Sequence, residues 1–151
     1  MKKLSIVYHS QSETTAKLAN YVYSGSKKEA DVSVDLILAS DANAETLLSS
    51  DGIIFGTPEN FGYMSGVLKD FFDRTFYQVE DKQLNIPYCI FVSAGNDGQG
   101  AVSSIDRIVK GYPLNKIAEP LIISAKDIEQ ERKRCEDFGH NMAAGLALSI
   151  F

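Results

Sequence analysis

The chain has 151 residues, 44% of them hydrophobic and 23% charged, which is ordinary composition for one globular domain and excludes a disordered chain. Its formal charge of −5 comes from 20 acidic and 15 basic residues. That balance argues against a general nucleic-acid or anionic-membrane surface, because either needs a cationic face.

The first expected element is a strand, Leu4-Ser5-Ile6-Val7-Tyr8. It is too short for the apolar part of a secretion signal, and polar His9-Ser10-Gln11-Ser12 follows at once. A helix comes next, with Thr15, Leu18, Ala19 and Val22 on its apolar face. Val32 to Leu38 reads as a second strand whose partial alternation suits a sheet edge. A short helical piece, Ala44 to Leu48, leads to Gly52-Ile53-Ile54-Phe55-Gly56, a central strand buried on both faces. The third helix begins near Ser65 and carries Val67, Leu68, Phe71, Phe72 and Phe76. Tyr88 to Val92 is a fourth, buried strand, followed by a helix marked by Val102, Ile105, Ile108 and Val109. Pro120 to Ser124 reads as an uninterrupted fifth strand. The last helix is placed after an Asp127 cap, with Ile128, Cys135, Phe138, Met142 and Leu146 at helical spacing.

No stretch approaches the ~20 apolar residues of a membrane helix, so a soluble, cytoplasmic protein is expected. Cys89 and Cys135 are far apart and form no CxxC pair; they read as buried thiols. Strands alternating with helices predict right-handed crossovers and an α/β fold, a three-layer α/β/α sandwich made of residues 1–151 as a single domain. Spacing leaves the strand order open. Both common doubly wound orders place ligands beyond the carboxyl ends of the strands, so the loops after the strands hold the candidate chemistry.

The loop His9 to Thr15 offers hydroxyls and free N–H groups at a helix amino end, a ready anion site. The competing reading is a plain cap, because Ser10 and Glu13 have capping-box spacing. The loop Thr57-Pro58-Glu59-Asn60-Phe61-Gly62-Tyr63 sets aromatic side chains near polar ones, as a stacking wall for a flat ring would. Its competing reading is that Phe61 and Tyr63 only cover the helix start. The loop Gly95-Asn96-Asp97-Gly98-Gln99-Gly100 is rich in hydrogen-bonding groups, but it is not a dinucleotide fingerprint and no GxxxxGK[ST] loop occurs.

Two of these stretches carry a resemblance. Tyr8-His9-Ser10-Gln11-Ser12-x-x-Thr15-x-x-Leu18-Ala19 resembles the FMN phosphate loop of the flavodoxin-like superfamily. Gly56-Thr57-Pro58-x-x-Phe61-Gly62-x-Met64-Ser65-Gly66-x-Leu68-Lys69-x-Phe71-x-Asp73-Arg74 is similar to the isoalloxazine loop of the tryptophan-repressor-binding-protein-like quinone reductases and small NAD(P)H-dependent flavoprotein reductases. The resemblance implies a five-stranded parallel sheet in the order 2-1-3-4-5 with FMN as cofactor. It implies a phosphate held by Ser10, Ser12, Thr14 and Thr15. The ring would meet Thr57, Pro58, Glu59, Asn60, Phe61, Gly62 and Tyr63 on one side and Gly95, Asn96, Asp97 and Gly98 on the other. Glu13 stands where the family usually has glycine.

The function implied is an FMN-dependent oxidoreductase taking electrons from NAD(P)H to a quinone, flavin or similar small acceptor. The cofactor performs that chemistry, so no catalytic side chain and no metal are expected. His9 is better explained by packing than as a proton donor. Partners would be a small redox acceptor or a redox protein, with no nucleic acid and no membrane span; homo-oligomerisation is left open. The alternatives are a flavodoxin-type electron carrier and a flavin-free interaction module on the same fold. A phosphorelay receiver is excluded, because Thr57 and His9-Ser10 stand where it needs acidic residues.

Overall fold

Three strands of the chain are buried over most of their length, and their apolar content shows why. In the computed structural model, which describes residues 1–151, these are β1 (Lys2–Tyr8), β3 (Gly52–Pro58) and β4 (Pro87–Ala94). Every residue of β4 is buried, as are Leu4 to Val7 of β1 and Gly52 to Thr57 of β3. Helices cover both faces of these strands, so neither face can afford polar alternation. Strand β2 (Val32–Leu38) pairs only with β1, from Lys2↔Val32 to Tyr8↔Leu38, and is half-buried as an edge strand. All these pairings are parallel and the order runs β2-β1-β3-β4, as the resemblance implied.

Successive side chains along the strands point to opposite faces and make two cores. Val7, Ile53, Phe55, Ile90 and Val92 face α2 (Ala44–Leu48), α3 (Gly66–Val79) and α4 (Gln99–Val109). Phe55, Phe71, Phe72 and Tyr112 interlock there with ring centroids 5.1–6.5 Å apart. Leu4, Ile6, Ile54, Cys89 and Phe91 face α1 (Glu13–Ser26) and α5 (Arg132–Ala147). Both cysteines are buried free thiols. Burial pushes the Cys135 thiol up to about 11 and Cys89 higher still. No helix is long and apolar enough to cross a membrane.

Two expectations need correction. The fifth strand is interrupted: β5 (Asn115–Lys116) and β6 (Leu121–Ser124) both pair with β4, which makes the sheet six-stranded. Between the pairs Tyr88↔Lys116 and Phe91↔Leu121, β4 advances three residues and its edge neighbour five. The Ile117 N–H still bonds the Tyr88 carbonyl at 3.1 Å. Pro120 then has no N–H to offer the ladder, and the surplus residues bulge out. The last helix also starts later than expected. Residues Ala125–Asp127 form a 3-10 turn that lets Ile128 reach the core, and α5 begins at Arg132 behind Glu131.

Candidate functional site

The loops after β1, β3 and β4 lie side by side because those strands are neighbours. The chain reverses its winding direction at β1 and β3, and sheets wound this way take ligands beyond the carboxyl strand ends at that point.

The loop after β1 leaves a helix amino end unspent. The His9 N–H donates to the Gly56 carbonyl at 3.1 Å, extending the β1–β3 ladder by one residue. Ser12 is the N-cap of α1 in extended conformation, but its side chain caps nothing. The Ser10 hydroxyl donates to the Ser12 carbonyl and accepts from the Ala16 N–H at 2.9 Å. No acceptor in the chain takes the N–H groups of Glu13, Thr14 and Thr15. The Ser10–Glu13 capping box therefore does not form, and Glu13 is exposed. What remains is the positive end of a 14-residue helix with free donors.

The loop after β3 is a tight turn carrying an aromatic ring outward. The Asn60 and Tyr63 backbones exchange hydrogen bonds of 2.9 and 3.0 Å. The residues between them are both left-handed, Phe61 at φ 52° and Gly62 at φ 68°. That geometry suits a two-residue hairpin turn, but it costs a phenylalanine roughly 1–2 kcal/mol. Phe61 is nonetheless fully exposed, and Tyr63 is 41% exposed. A strained aromatic held in solvent is a feature that packing does not explain.

The loop after β4 is fitted to that turn. Gly95, Asn96 and Asp97 are exposed, and the Asp97 carboxylate accepts from the Gln99 N–H at 3.1 Å. Gly98, at φ 72°, starts α4 without a side-chain cap. The missing cap comes from elsewhere: Glu59 Oε2 accepts from the Gly100 and Ala101 N–H groups at 3.0 and 3.3 Å. Gly100 also lies so close to the turn that a Cβ there would be 2.1 Å from the Gly62 carbonyl oxygen.

Further bonds tie the loops together. Asn60 Nδ2 donates to Gln11 Oε1 at 3.0 Å, the Glu59 N–H to the Ser93 carbonyl at 3.0 Å, and Thr15 Oγ1 shares a 2.6 Å bond with Ser93 Oγ. The predicted residues thus divide. Ser10, Ser12, Thr14, Asn60, Phe61, Gly62, Tyr63, Gly95, Asn96 and Asp97 stand exposed or half-buried on the three loops. Pro58 is half-buried at the end of β3. Thr15, Thr57 and Gly98 are buried. The Thr57 hydroxyl accepts from the Ser65 N–H at 2.9 Å and donates to the Pro58 carbonyl at 2.8 Å, and that of Thr15 is bonded to Ser93, so both hydroxyls are turned inward. Half-buried Glu59, expected at a ring edge, spends one oxygen on α4. Gln11 was in the first loop but had no assigned role; a partner 49 residues away gives no local signal.

His9 has a buried Nδ1 without a partner, and burial lowers its pKa, favouring the neutral ring. Beside the first turn of α1 lies a cleft of about 370 Å³, lined by Glu13, Thr14, Lys17, Lys126 and Glu129 among others. Lys17 spans it to Glu129 at 2.8 Å.

Known proteins match this arrangement. Residues 17–112 match the model of a family described as NADPH-dependent FMN reductase. A flavodoxin of Aquifex aeolicus (strain VF5) is 26% identical over 168 aligned residues, covering 99% of this chain and 90% of that protein. An NAD(P)H dehydrogenase (quinone) of Acidithiobacillus ferrooxidans (strain ATCC 53993 / BNL-5-31) is 51% identical over 37 residues, which span 24% of this chain and only 18% of that one. Among solved structures, the flavodoxin, WrbA-like protein from Agrobacterium tumefaciens superposes with a TM-score of 0.78 at 16% identity, covering 99% of each chain; this likeness is one of fold. Carried by the match over residues 17–112, the chain belongs to the NADPH-dependent FMN reductase family.

Proposed function

We propose that the protein binds FMN in the crevice between the loops after β1, β3 and β4 and passes electrons from NAD(P)H to a small acceptor such as a quinone. The observation that carries this reading is a pairing of two features. Free N–H groups open at the start of α1, and a strained, outward Phe61 stands on the adjacent loop. The residues fit the group, because one feature answers a phosphate and the other a flat ring. Ser10, Ser12 and Thr14 would hold the phosphate with the backbone of α1. Asn60, Phe61, Gly62 and Tyr63 would flank the ring opposite Gly95, Asn96 and Asp97.

FMN, when bound, supplies the electron-transfer chemistry, and the chain binds and orients it. Glu59 and the Gln11–Asn60 bond hold the ring-flanking loops in place before any ligand arrives. Neutral His9 adds no charge beneath the phosphate loop. The same reading takes residues 1–151 as one cytoplasmic domain.

An absorbance spectrum after incubation with FMN and dialysis tests this first. Retained bands near 375 and 450 nm, roughly those of any oxidised flavin, support it, and a colourless protein overturns it. A second reading, an electron carrier without its own substrate, draws on the nearly full-length alignment with a flavodoxin. Anaerobic bleaching by NAD(P)H with turnover on a quinone favours the reductase, and no bleaching favours the carrier.

A further inference from the structure

We propose that Glu13 makes the phosphate end of the site sensitive to the charge of its ligand, penalising a dianionic phosphate more than a monoanionic one. The inference rests on the reading that the FMN phosphate sits at the start of α1.

Glu13 is the first residue of α1, among the N–H groups that no acceptor takes. Its carboxylate is exposed and has neither a hydrogen bond nor an ion pair within the chain. A cation one turn along the helix could offset it, since Glu followed by Lys four residues later is a favourable pair. Lys17 stands there, but its ammonium is held by Glu129 at 2.8 Å. The other charge around the cleft comes from the segment after β6, where Lys126 lines the same cleft with no ion pair of its own. From the end of β1, His9 is biased to neutral by burial. From the loop after β3, Glu59 is turned to α4. From the loop after β4, Asp97 adds a further negative charge. Glu13 thus has no ion pair or hydrogen bond of its own, and Lys17 and Lys126 are the cations that share the cleft with it.

A carboxylate at this position has two opposed effects. Without ligand it complements the positive end of the helix and stabilises it. With a phosphate nearby it competes for that field and repels the ligand in proportion to its charge. The second ionisation of a phosphate monoester falls near pH 6, so between pH 5.5 and 8 its charge goes from about −1.2 to about −2, and the repulsion rises with it. Riboflavin, which has no phosphate, should escape it.

The test titrates FMN and riboflavin by flavin fluorescence into the intact protein and its Glu13→Gln variant at pH 5.5 and 8, with thermal melts of both ligand-free proteins. FMN binding in the variant should tighten about fourfold at pH 5.5 and about tenfold at pH 8, as the law of charges gives for about 1.2 and about 2 negative charges ~6 Å away in water. Riboflavin binding should stay the same, and the ligand-free variant should melt slightly lower. An equal FMN ratio at both pH values, or a matching change for riboflavin, overturns the inference while leaving the FMN site intact. If neither protein binds either flavin, the FMN reading itself falls and this inference falls with it.

Discussion

Phe61 holds a left-handed backbone that Asn fills better, directly before a glycine that also needs it. Asn-Gly is the preferred pair for such a turn, so Phe61→Asn should raise the stability of the ligand-free protein by about 1 kcal/mol. The same change removes the ring and should weaken FMN binding about tenfold, the upper range for an aromatic pair. Chemical denaturation and FMN titration on one variant read both effects. A loss of stability together with unchanged binding would show that Phe61 serves the fold instead.

At the level of elements, α4 depends on a residue outside itself. Gly98 has no side chain to cap the helix, and Glu59 does so from the loop after β3. Glu59→Ala should cost about 1–2 kcal/mol in urea denaturation, the range for a lost helix cap. Glu59→Gln, which keeps an acceptor oxygen, should recover most of it. Equal losses in both variants would mean that charge, not the cap, matters. This tie also marks where reading the sequence stops. Apolar runs announce β1, β3 and β4, because burial on both faces leaves little room for polar side chains. The aromatic face of α3 and the span of α2 are equally plain. Glu59 meets Gly100 across 41 residues and Thr15 meets Ser93 across 78, and no local spacing encodes either. The resemblance put Thr15 at the phosphate and Thr57 at the ring; only the packed loops show their hydroxyls turned inward. The bulge before Pro120 was hidden because a proline at the start of an apolar run also suits an uninterrupted edge strand.

On the scale of the whole molecule, His9 ties stability to pH. Its pKa is lowered by burial in the folded chain, whereas the unfolded imidazole keeps an ordinary value of about 6.5. Below that value the unfolded state takes up a proton that the folded state resists, so this contribution to stability is lost as pH falls. Denaturation midpoints followed from pH 7.5 to 5.5 should fall less steeply in His9→Gln than in the parent protein. Parallel curves would assign the acid sensitivity to other groups.

The broken fifth strand has a consequence for how copies of this protein meet at high concentration. A sheet edge with a continuous row of free backbone groups is a template for another chain, and bulges or prolines blunt it. On the β4 side, the edge is cut into pieces of two and four residues with Pro120 between them. On the opposite side, β2 runs seven residues unbroken. The molecule is therefore one-sided as a building block for aggregates: continuous strand addition has a full-length template along β2 alone. Asp35, paired with Lys3 at 3.2 Å, keeps an ionic group midway along that strand.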